Sequence, residues 1–286
     1  MQPAGHPIVF GAPYSVYVRA VRLTLEEKGV PYEVVPVDIF ASGGPPPEHR
    51  SRHPFGRIPA FEHAGFCLYE AGAITRYVDE AFPGPRLQPD DARGRARMNQ
   101  IISILDSYAY RTLVWEIYVE RVARPASGAA SDEQKIAGAL PKAEICLSAL
   151  AELMGDAPWL TGTAITLADL HAAPIVAVFR LAPEGAILLD HETRLREWWE
   201  RISTRPSFLR TQAPPRSARP VEGNVSRYNG VNWIAMCLTY PGSVEGSRIC
   251  GIAAPAELDQ GRHCRRPSNQ RPATNASTLK EIALAR

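Results

Sequence analysis

The sequence predicts an α/β domain, then an all-helical domain, then a tail of uncertain structure. Three observations carry this prediction: a strand-helix-strand pattern near the N-terminus, a strand-strand-helix pattern after a proline-rich loop, and purely helical periodicity beyond a second proline-rich stretch. We place the first domain at residues 6–85, the second at 90–212 and the tail at 213–286.

The first domain begins with a strand, a helix and a second strand. Residues 8–10 are a short apolar run ending at Gly11, and residues 16–29 carry apolar side chains at helical spacing before a terminating glycine. Residues 32–37 alternate like a strand, so a right-handed crossover should join a parallel pair. The Gly-Gly-Pro-Pro-Pro stretch at 43–47 is expected to be a loop.

A hairpin and a helix complete this domain. Residues 58–62 and 66–69 flank the turn at Ala64, and residues 71–82 have helical periodicity. Pro59 has no N–H for a sheet ladder and therefore belongs at the start or edge of a strand. A cis Ile58–Pro59 bond would leave the Ile58 backbone free to pair with an extended peptide. The complete order of elements is that of a thioredoxin-like fold.

The second domain is predicted to be helical throughout, after a linker marked by Pro-Gly-Pro at 83–85 and Gln-Pro-Asp at 88–90. Its helical segments are 92–122, 132–154, 167–179 and 191–202. Ser131 with Gln134, and Thr166 with Asp169, have the spacing of a capping box, so we expect Asp169 to be structural. Pro141 predicts a kink or a break in the second long helix.

The tail loses helical periodicity. From residue 214 onward it carries ten Lys/Arg and five Asp/Glu, a balance of +5, against 22 basic and 25 acidic residues before it. We expect it to be mostly disordered; a small appended interaction element and an artefact of translation or assembly remain open.

Composition excludes several classes of protein. Charged residues make up 22% and hydrophobic residues 45% of the 286 residues, as in a soluble globular protein, and the acidic body does not favour a nucleic-acid partner. Five cysteines without a C-x-x-C pair argue against a disulfide framework and against a metal, and favour a reducing, cytoplasmic location. No signal peptide is visible, and the longest apolar stretch, 172–179, is too short for a membrane helix.

Four motifs in order resemble a known family. They are Phe-Gly-Ala-Pro-Tyr-Ser at 10–15 leading into the sequence at 19–33, His-Pro-Phe-Gly-Arg-Ile-Pro-Ala at 53–60, Glu-Ala-Gly-Ala-Ile-Thr-Arg-Tyr at 70–77, and Leu-Thr-Gly at 160–162 with Thr-Leu-Ala-Asp-Leu at 166–170. Over about residues 6–212 the chain resembles the soluble glutathione S-transferases, and among them the serine-type, phi-like bacterial and plant members.

The resemblance implies a catalytic role for Ser15, with glutathione as co-substrate. A serine hydroxyl without a neighbouring His or Asp is no nucleophile. In the family the matching hydroxyl donates a hydrogen bond to the glutathione sulfur and favours its thiolate. A helix cap is the alternative role for Ser15, and Tyr14 and Tyr17 are rival hydroxyls. Glutaredoxin-like chemistry would need a cysteine at this turn, and none is present.

The remaining glutathione contacts are also implied by the resemblance. Arg57, Ile58 and Pro59 would hold the cysteinyl backbone. Glu70, expected in the first turn of its helix, and the backbone of Ala71 would hold the γ-glutamyl end.

The sequence departs from the family's pattern at two places, and both departures would weaken glutathione binding. Gly44-Pro45 stands where the family usually has a basic pair for the glycyl carboxylate, and Ala71 stands where it has a serine. Substitutes for the missing basic pair are sought among Arg50, Arg52 and His53.

The second substrate would be a hydrophobic electrophile. Four side chains of the first long helix are three, seven and ten residues apart, which puts them on one face of an α-helix. They are Tyr108, Arg111, Trp115 and Tyr118, and Tyr14 would join them. Such a stripe is either a substrate pocket or part of the core.

The resemblance thus implies a cytoplasmic, homodimeric glutathione transferase with a role in detoxification. Conjugation is the expected reaction, and dehalogenation, isomerisation and peroxide reduction are variants. A transferase-like binding or assembly module, with weak or no catalysis, is the alternative.

Overall fold

The structure is a computed structural model that describes residues 5–41 and 43–212. The expectations for the tail at 213–286 lie outside these residues.

A mixed sheet forms the centre of the first domain. Its strands are β1 (Ile8–Phe10), β2 (Glu33–Val35), β3 (Ala60–His63) and β4 (Phe66–Tyr69), in the order β2-β1-β3-β4. β1 pairs parallel with β2 and antiparallel with β3, and β3 with β4 forms the expected hairpin. Ala64 and Gly65 turn this hairpin with φ of 51° and 81°, as a tight two-residue turn requires.

Three helices accompany the sheet in the described chain. They are α1 (Val16–Lys28), α2 (Pro47–Arg52) and α3 (Ala71–Ala81). Gly29 ends α1 in the left-handed region at φ 66°, as its position predicted. The sequence did not predict α2, because its six residues are mostly charged and have no apolar periodicity. The thioredoxin-like order is otherwise as expected.

The second domain is helical, as expected. Its elements are α4 (Ala92–Ile104), a π-helical segment (Leu105–Ala123), α5 (Arg124–Ala126), α6 (Glu133–Met154), α7 (Leu167–Phe179), α8 (Pro183–His191), α9 (Thr193–Ser203) and α10 (Pro206–Arg210). The π-helical segment continues α4 directly. The predicted helix over 92–122 is therefore continuous, but only its first part is an α-helix and the rest is a π-helix.

Three local predictions for this domain need correction. Asp132, not Ser131, caps α6, because the Asp132 carboxylate accepts the backbone N–H of Lys135 at 3.0 Å. α6 runs through Pro141, so of the two alternatives at this residue the break is wrong. The helix predicted over 191–202 is α9, which begins two residues later at Thr193, and the preceding helix α8 was not predicted.

Asp169 is the structural residue that the capping box predicted. Its fully buried carboxylate accepts four hydrogen bonds: from the N–H and hydroxyl of Thr166 at 2.8 and 3.0 Å, from the N–H of Leu160 at 2.9 Å and from the indole N–H of Trp198 at 2.9 Å. The carboxylate therefore joins the start of α7 to α9 and to the loop before α7.

A buried ion pair fixes the linker between the two domains. Lys28, at the end of α1, donates to the Asp79 carboxylate at 3.1 Å and to the Pro85 carbonyl at 3.0 Å. The same carboxylate accepts the N–H of Leu87, whose carbonyl accepts the N–H of Leu167 at the start of α7. These bonds set the first domain and α7 in one arrangement.

Candidate functional site

Strand register brings three predicted site segments to one edge of the sheet. Phe10 lies opposite Ala60, and Ala60 lies opposite Tyr69. The turn after β1, the residues just before β3 and the residue just after β4 therefore meet at this edge. They carry Ser15, Ile58 with Pro59, and Glu70, and we call this edge the Ser15 edge.

Ser15 is the N-cap of α1. Its backbone is extended, with φ −72° and ψ 124°, and its hydroxyl oxygen accepts the N–H of Val18 at 3.4 Å. The cap role considered for Ser15 is therefore present. An oxygen that accepts from Val18 keeps its own hydrogen for another acceptor. The half-buried hydroxyl stands at the positive end of the α1 dipole, where an anion is stabilised.

A glycine keeps the turn before Ser15 close to the cis-proline segment. A Cβ atom on Gly11 would collide with the Val18 side chain and lie 3.4 Å from Cβ of Ile58. The Ile58–Pro59 bond is cis, as expected. The Ile58 side chain is buried, and its backbone makes no hydrogen bond with any residue in 5–41 or 43–212.

Arg57 precedes this segment and is anchored through its backbone. Its carbonyl accepts a hydrogen bond from Nε2 of the buried His49 at 2.7 Å, so the ring is protonated on Nε2. The Arg57 side chain is exposed. Sequence reasoning missed His49, because a lone histidine in a charged segment carries no pattern that marks it as a backbone partner.

Glu70 lies just before α3, whereas the prediction placed it in the first turn of this helix. Its carbonyl accepts the N–H groups of Ala73 and Ile74 at 3.0 Å each. Its φ of 71° is uncommon for a residue other than glycine. The exposed carboxylate makes no capping bond, so it stays free to accept from a ligand, while Ala71 is buried beneath it.

Tyr17 points away from the Ser15 edge. Its ring lies 4.7 Å from that of Tyr110 and 5.5 Å from that of His171. Burial, the Asp106 carboxylate and its hydrogen bond raise the pKa of Tyr17. Nε2 of His171 lies 2.8 Å from the same carboxylate. Tyr17 is thus committed to a buried contact between the domains, which removes it as a rival to Ser15.

Tyr14 stays near the site but packs on its own domain. Its ring lies 6.5 Å from that of Phe40 and it packs against the core under the sheet. The structure therefore leaves Tyr14 as the one tyrosine, of the two rivals, that remains beside Ser15.

The four candidates on the first long helix do not form one stripe. They lie in the π-helical segment, where i→i+5 bonding changes the angle between successive residues, so the one-face prediction is wrong. Tyr108 and Arg111 are exposed, whereas Trp115 and Tyr118 are half-buried against the helical core. Arg111 also pairs with Glu116 at 3.0 Å.

An open groove of about 550 Å³ lies elsewhere, at the far end of α1. Its lining includes Glu26, Tyr32 and Arg210, and its position beyond Gly29 separates it from the Ser15 edge by the length of the helix. In the described ranges, no helix has the length and apolarity to cross a membrane.

Fold and site together define a class. A thioredoxin-like domain that offers a hydroxyl and a helix N-terminus at its peptide edge, joined to a helical domain, is the architecture of a thiol-activating transferase.

Comparisons identify the family. The family described as "Glutathione S-transferase, N-terminal domain" matches residues 7–80, and "Glutathione S-transferase, C-terminal domain" matches residues 108–206. The probable glutathione S-transferase GSTF1 of Oryza sativa subsp. japonica is 31% identical over 209 residues, covering 72% of this chain and 94% of that protein. Glutathione S-transferase F13 of Arabidopsis thaliana is 28% identical, covering 71% and 93%.

The fold of this chain is also similar to that of a solved glutathione transferase structure. The crystal structure of glutathione transferase F7 from Populus trichocarpa matches with a TM-score of 0.64 and 28% identity, over 72% of this chain and 97% of that one. The chain therefore belongs to the glutathione S-transferase family, in its phi-like branch, and is a transferase enzyme.

Proposed function

We propose that the Ser15 edge binds reduced glutathione and presents its thiolate to a hydrophobic electrophile. The observation that carries this proposal is the placement of Ser15, an N-cap with a hydrogen to donate, at the edge that also holds the free Ile58 backbone. On this proposal, residues 6–85 form the glutathione-binding domain and residues 90–212 the substrate domain.

The role proposed for Ser15 is to stabilise an anion, the thiolate of glutathione. A free thiol has a pKa near about 8.5, so one or two units of depression make the thiolate abundant at neutral pH. Each unit corresponds to about 1.4 kcal/mol of preference for the anion. A donated hydrogen bond and the positive end of α1 act in this direction. Ser15 is therefore proposed as the catalytic residue, and it forms no covalent intermediate.

The peptide of glutathione would lie along the edge. The Ile58 backbone supplies a donor and an acceptor for the cysteinyl residue, and Arg57 and Pro59 frame it. The exposed Glu70 carboxylate would accept the ammonium of the γ-glutamyl end, and the N–H of Ala71 its carboxylate. No metal takes part in this scheme.

The second substrate would enter between Tyr14 and the π-helical segment. Trp115 and Tyr118 are proposed as its apolar contacts because they are half-buried. Conjugation to glutathione is the proposed reaction, in a detoxification role in the cytoplasm.

An exposed aromatic patch supports a homodimer. Phe55 and Tyr69 are 70% and 38% exposed, and their rings lie 6.2 Å apart. Apolar side chains grouped on the surface are typical of an interface. We propose that a second copy of the chain covers this patch, and sedimentation of Phe55→Ser against the unchanged protein tests it.

Glutathione binding and turnover test the proposal together. The purified protein should bind immobilised glutathione, be released by free glutathione, and form a thioether from glutathione and an activated aryl chloride. A protein that neither binds glutathione nor forms the thioether contradicts the proposal. Binding without turnover would reassign the Ser15 edge to glutathione recognition alone.

A further inference from the structure

A buried histidine lies beneath the turn that leads to the Ser15 edge. His53 is the C-cap of α2 and is only 2% exposed. The centre of its ring lies 4.9 Å from that of Tyr69 and 6.2 Å from those of His49 and Phe55. Its Nδ1 makes no hydrogen bond within the part of the chain that the structure describes. Aromatic rings therefore surround an imidazole that has one unpaired nitrogen.

The backbone of His53 closes this turn. Its N–H donates to the His49 carbonyl at 2.8 Å, and its own carbonyl accepts the N–H of Gly56 at 2.8 Å. Gly56 has a φ of 62°, in the left-handed region that favours glycine. Arg57 and Ile58 follow directly. The position of His53 therefore decides where the cis-proline segment begins.

A second bond from α2 holds the same segment. Nε2 of His49 donates to the Arg57 carbonyl at 2.7 Å, one residue before Ile58. The residues that precede Ile58 are thus tied to α2 at two points, Gly56 and Arg57. A movement of the His53 ring out of its buried place would break the turn and loosen the Ile58 backbone.

The charges around His53 oppose its protonation. The titratable and charged side chains of the elements around it are Glu48, His49, Arg50 and Arg52 of α2, Arg57 after the turn, Glu62 of β3, Cys67 and Tyr69 of β4, and Glu70 after β4. Burial, then the neighbouring His49 and Arg57, lower the pKa of His53, and no carboxylate of the described residues offsets these effects. A proton on this ring would create a buried cation with an unpaired N–H.

We propose that His53 makes glutathione binding sensitive to pH, because its neutral ring keeps the turn at 53–56 closed and its protonation opens the turn and displaces Ile58. This proposal rests on the proposed function of the Ser15 edge. Glutathione needs the closed turn, since the Ile58 backbone would pair with its cysteinyl residue. The proton needs the open turn, where water solvates the imidazolium. Proton and ligand therefore oppose each other, and each weakens the binding of the other by the same factor.

The direction of the pKa shift defines the pH range of this effect. A solvent-exposed histidine has a pKa of about 6.5, and that of folded His53 lies below it. The stability of the closed turn is therefore complete above about pH 6.5 and is lost as pH falls from there through the folded value. Glutathione affinity should be constant above about pH 7 and should fall below the folded pKa by up to about tenfold per pH unit.

Binding of S-methylglutathione tests this coupling, because this analogue has no thiol to titrate. Calorimetry would measure its dissociation constant between about pH 7.5 and about pH 5 for the unchanged protein, His53→Asn and His53→Gln, whose amide side chains do not titrate. His191→Asn is the control: it also removes a histidine, but an exposed one at the end of α8. NMR of the histidine rings would measure the pKa of His53 in the unchanged protein, with and without the analogue, and needs no variant.

We expect the unchanged protein and His191→Asn to lose about 3- to 30-fold in affinity over this range, and both His53 variants to lose less than about 2-fold. The analogue should lower the pKa of His53. Constant affinity in the unchanged protein, an equal loss in His53→Asn, or a His53 pKa that the analogue leaves unchanged overturns the proposal. An unchanged protein that does not bind the analogue even at about pH 7.5 would instead overturn the proposed function.

Discussion

Replacing Asp169 with alanine should unfold the helical domain far more readily without changing the chemistry of the site. The buried carboxylate accepts four hydrogen bonds. In Asp169→Ala the N–H groups of Leu160, Thr166 and Trp198 and the hydroxyl of Thr166 lose their acceptor, although the Thr166 oxygen still accepts from the Thr161 hydroxyl at 2.9 Å.

The magnitude follows from these donors. Each buried donor left without an acceptor costs about 1–3 kcal/mol. Partial rearrangement limits the total, so we expect a loss of about 3–5 kcal/mol in the free energy of unfolding. For a folded body of this size that loss lowers the Tm by about 6–20 °C.

Thermal and urea unfolding measure this effect, and Trp198→Phe is the matched control. That variant removes one donor and leaves the carboxylate with its remaining partners, so its loss should be about 1–2 kcal/mol. The glutathione affinity of folded Asp169→Ala should equal that of the unchanged protein. A Tm change below about 2 °C would show that the Asp169 carboxylate does not stabilise the fold through these bonds. A loss of glutathione affinity with unchanged stability would show that Asp169 acts in binding.

Three further predictions concern the domain contacts and the tail. Tyr17→Phe should lower stability by about 1 kcal/mol, measured by urea unfolding, and leave the thiol pKa of bound glutathione unchanged; a shifted thiol pKa contradicts this. Burial would raise the pKa of Glu27, but hydrogen bonds from Arg205 and Ser207 outweigh it and hold this pKa below its usual value. The stability from this pair is therefore present above the pKa of an unfolded glutamate and lost as pH falls through the lower folded value. Urea unfolding of Glu27→Gln should show a smaller loss of stability between pH 6 and pH 3; an equal loss refutes the pairing. Truncation after Ala213 should keep the Tm and activity, because 5–212 already contain both domains; collapse of the shortened protein contradicts this.

Local signals in the sequence predicted much of the fold. The ends of α1, the hairpin turn and the capping box at Asp169 each depend on residues a few positions apart, and the structure confirms them. The cap of α6 was predicted one residue too early. Ser131 and its neighbour Asp132 are both residue types that cap helices, and Asp132 is the one that accepts the N–H of Lys135.

The interactions that hold the site in place were not predictable from spacing. His171 and Asp106 are 65 positions apart, and both meet Tyr17 only through the packing of α7 on the first long helix. The π-helical segment has no signal in apolar periodicity, because the sequence fits an α-helix as well.

Ultraviolet titration of glutathione in the complex measures how far Ser15 lowers the pKa of the bound thiol. The thiol pKa of glutathione bound to the unchanged protein should lie at least about one unit below that of the free thiol. Ser15→Ala should raise it by about one unit or more with nearly the same dissociation constant, and Ser15→Thr, which keeps a hydroxyl, should not. If Ser15→Ala leaves the titration unchanged and Tyr14→Phe shifts it instead, the hydroxyl that stabilises the thiolate belongs to Tyr14 and the role proposed for Ser15 is wrong.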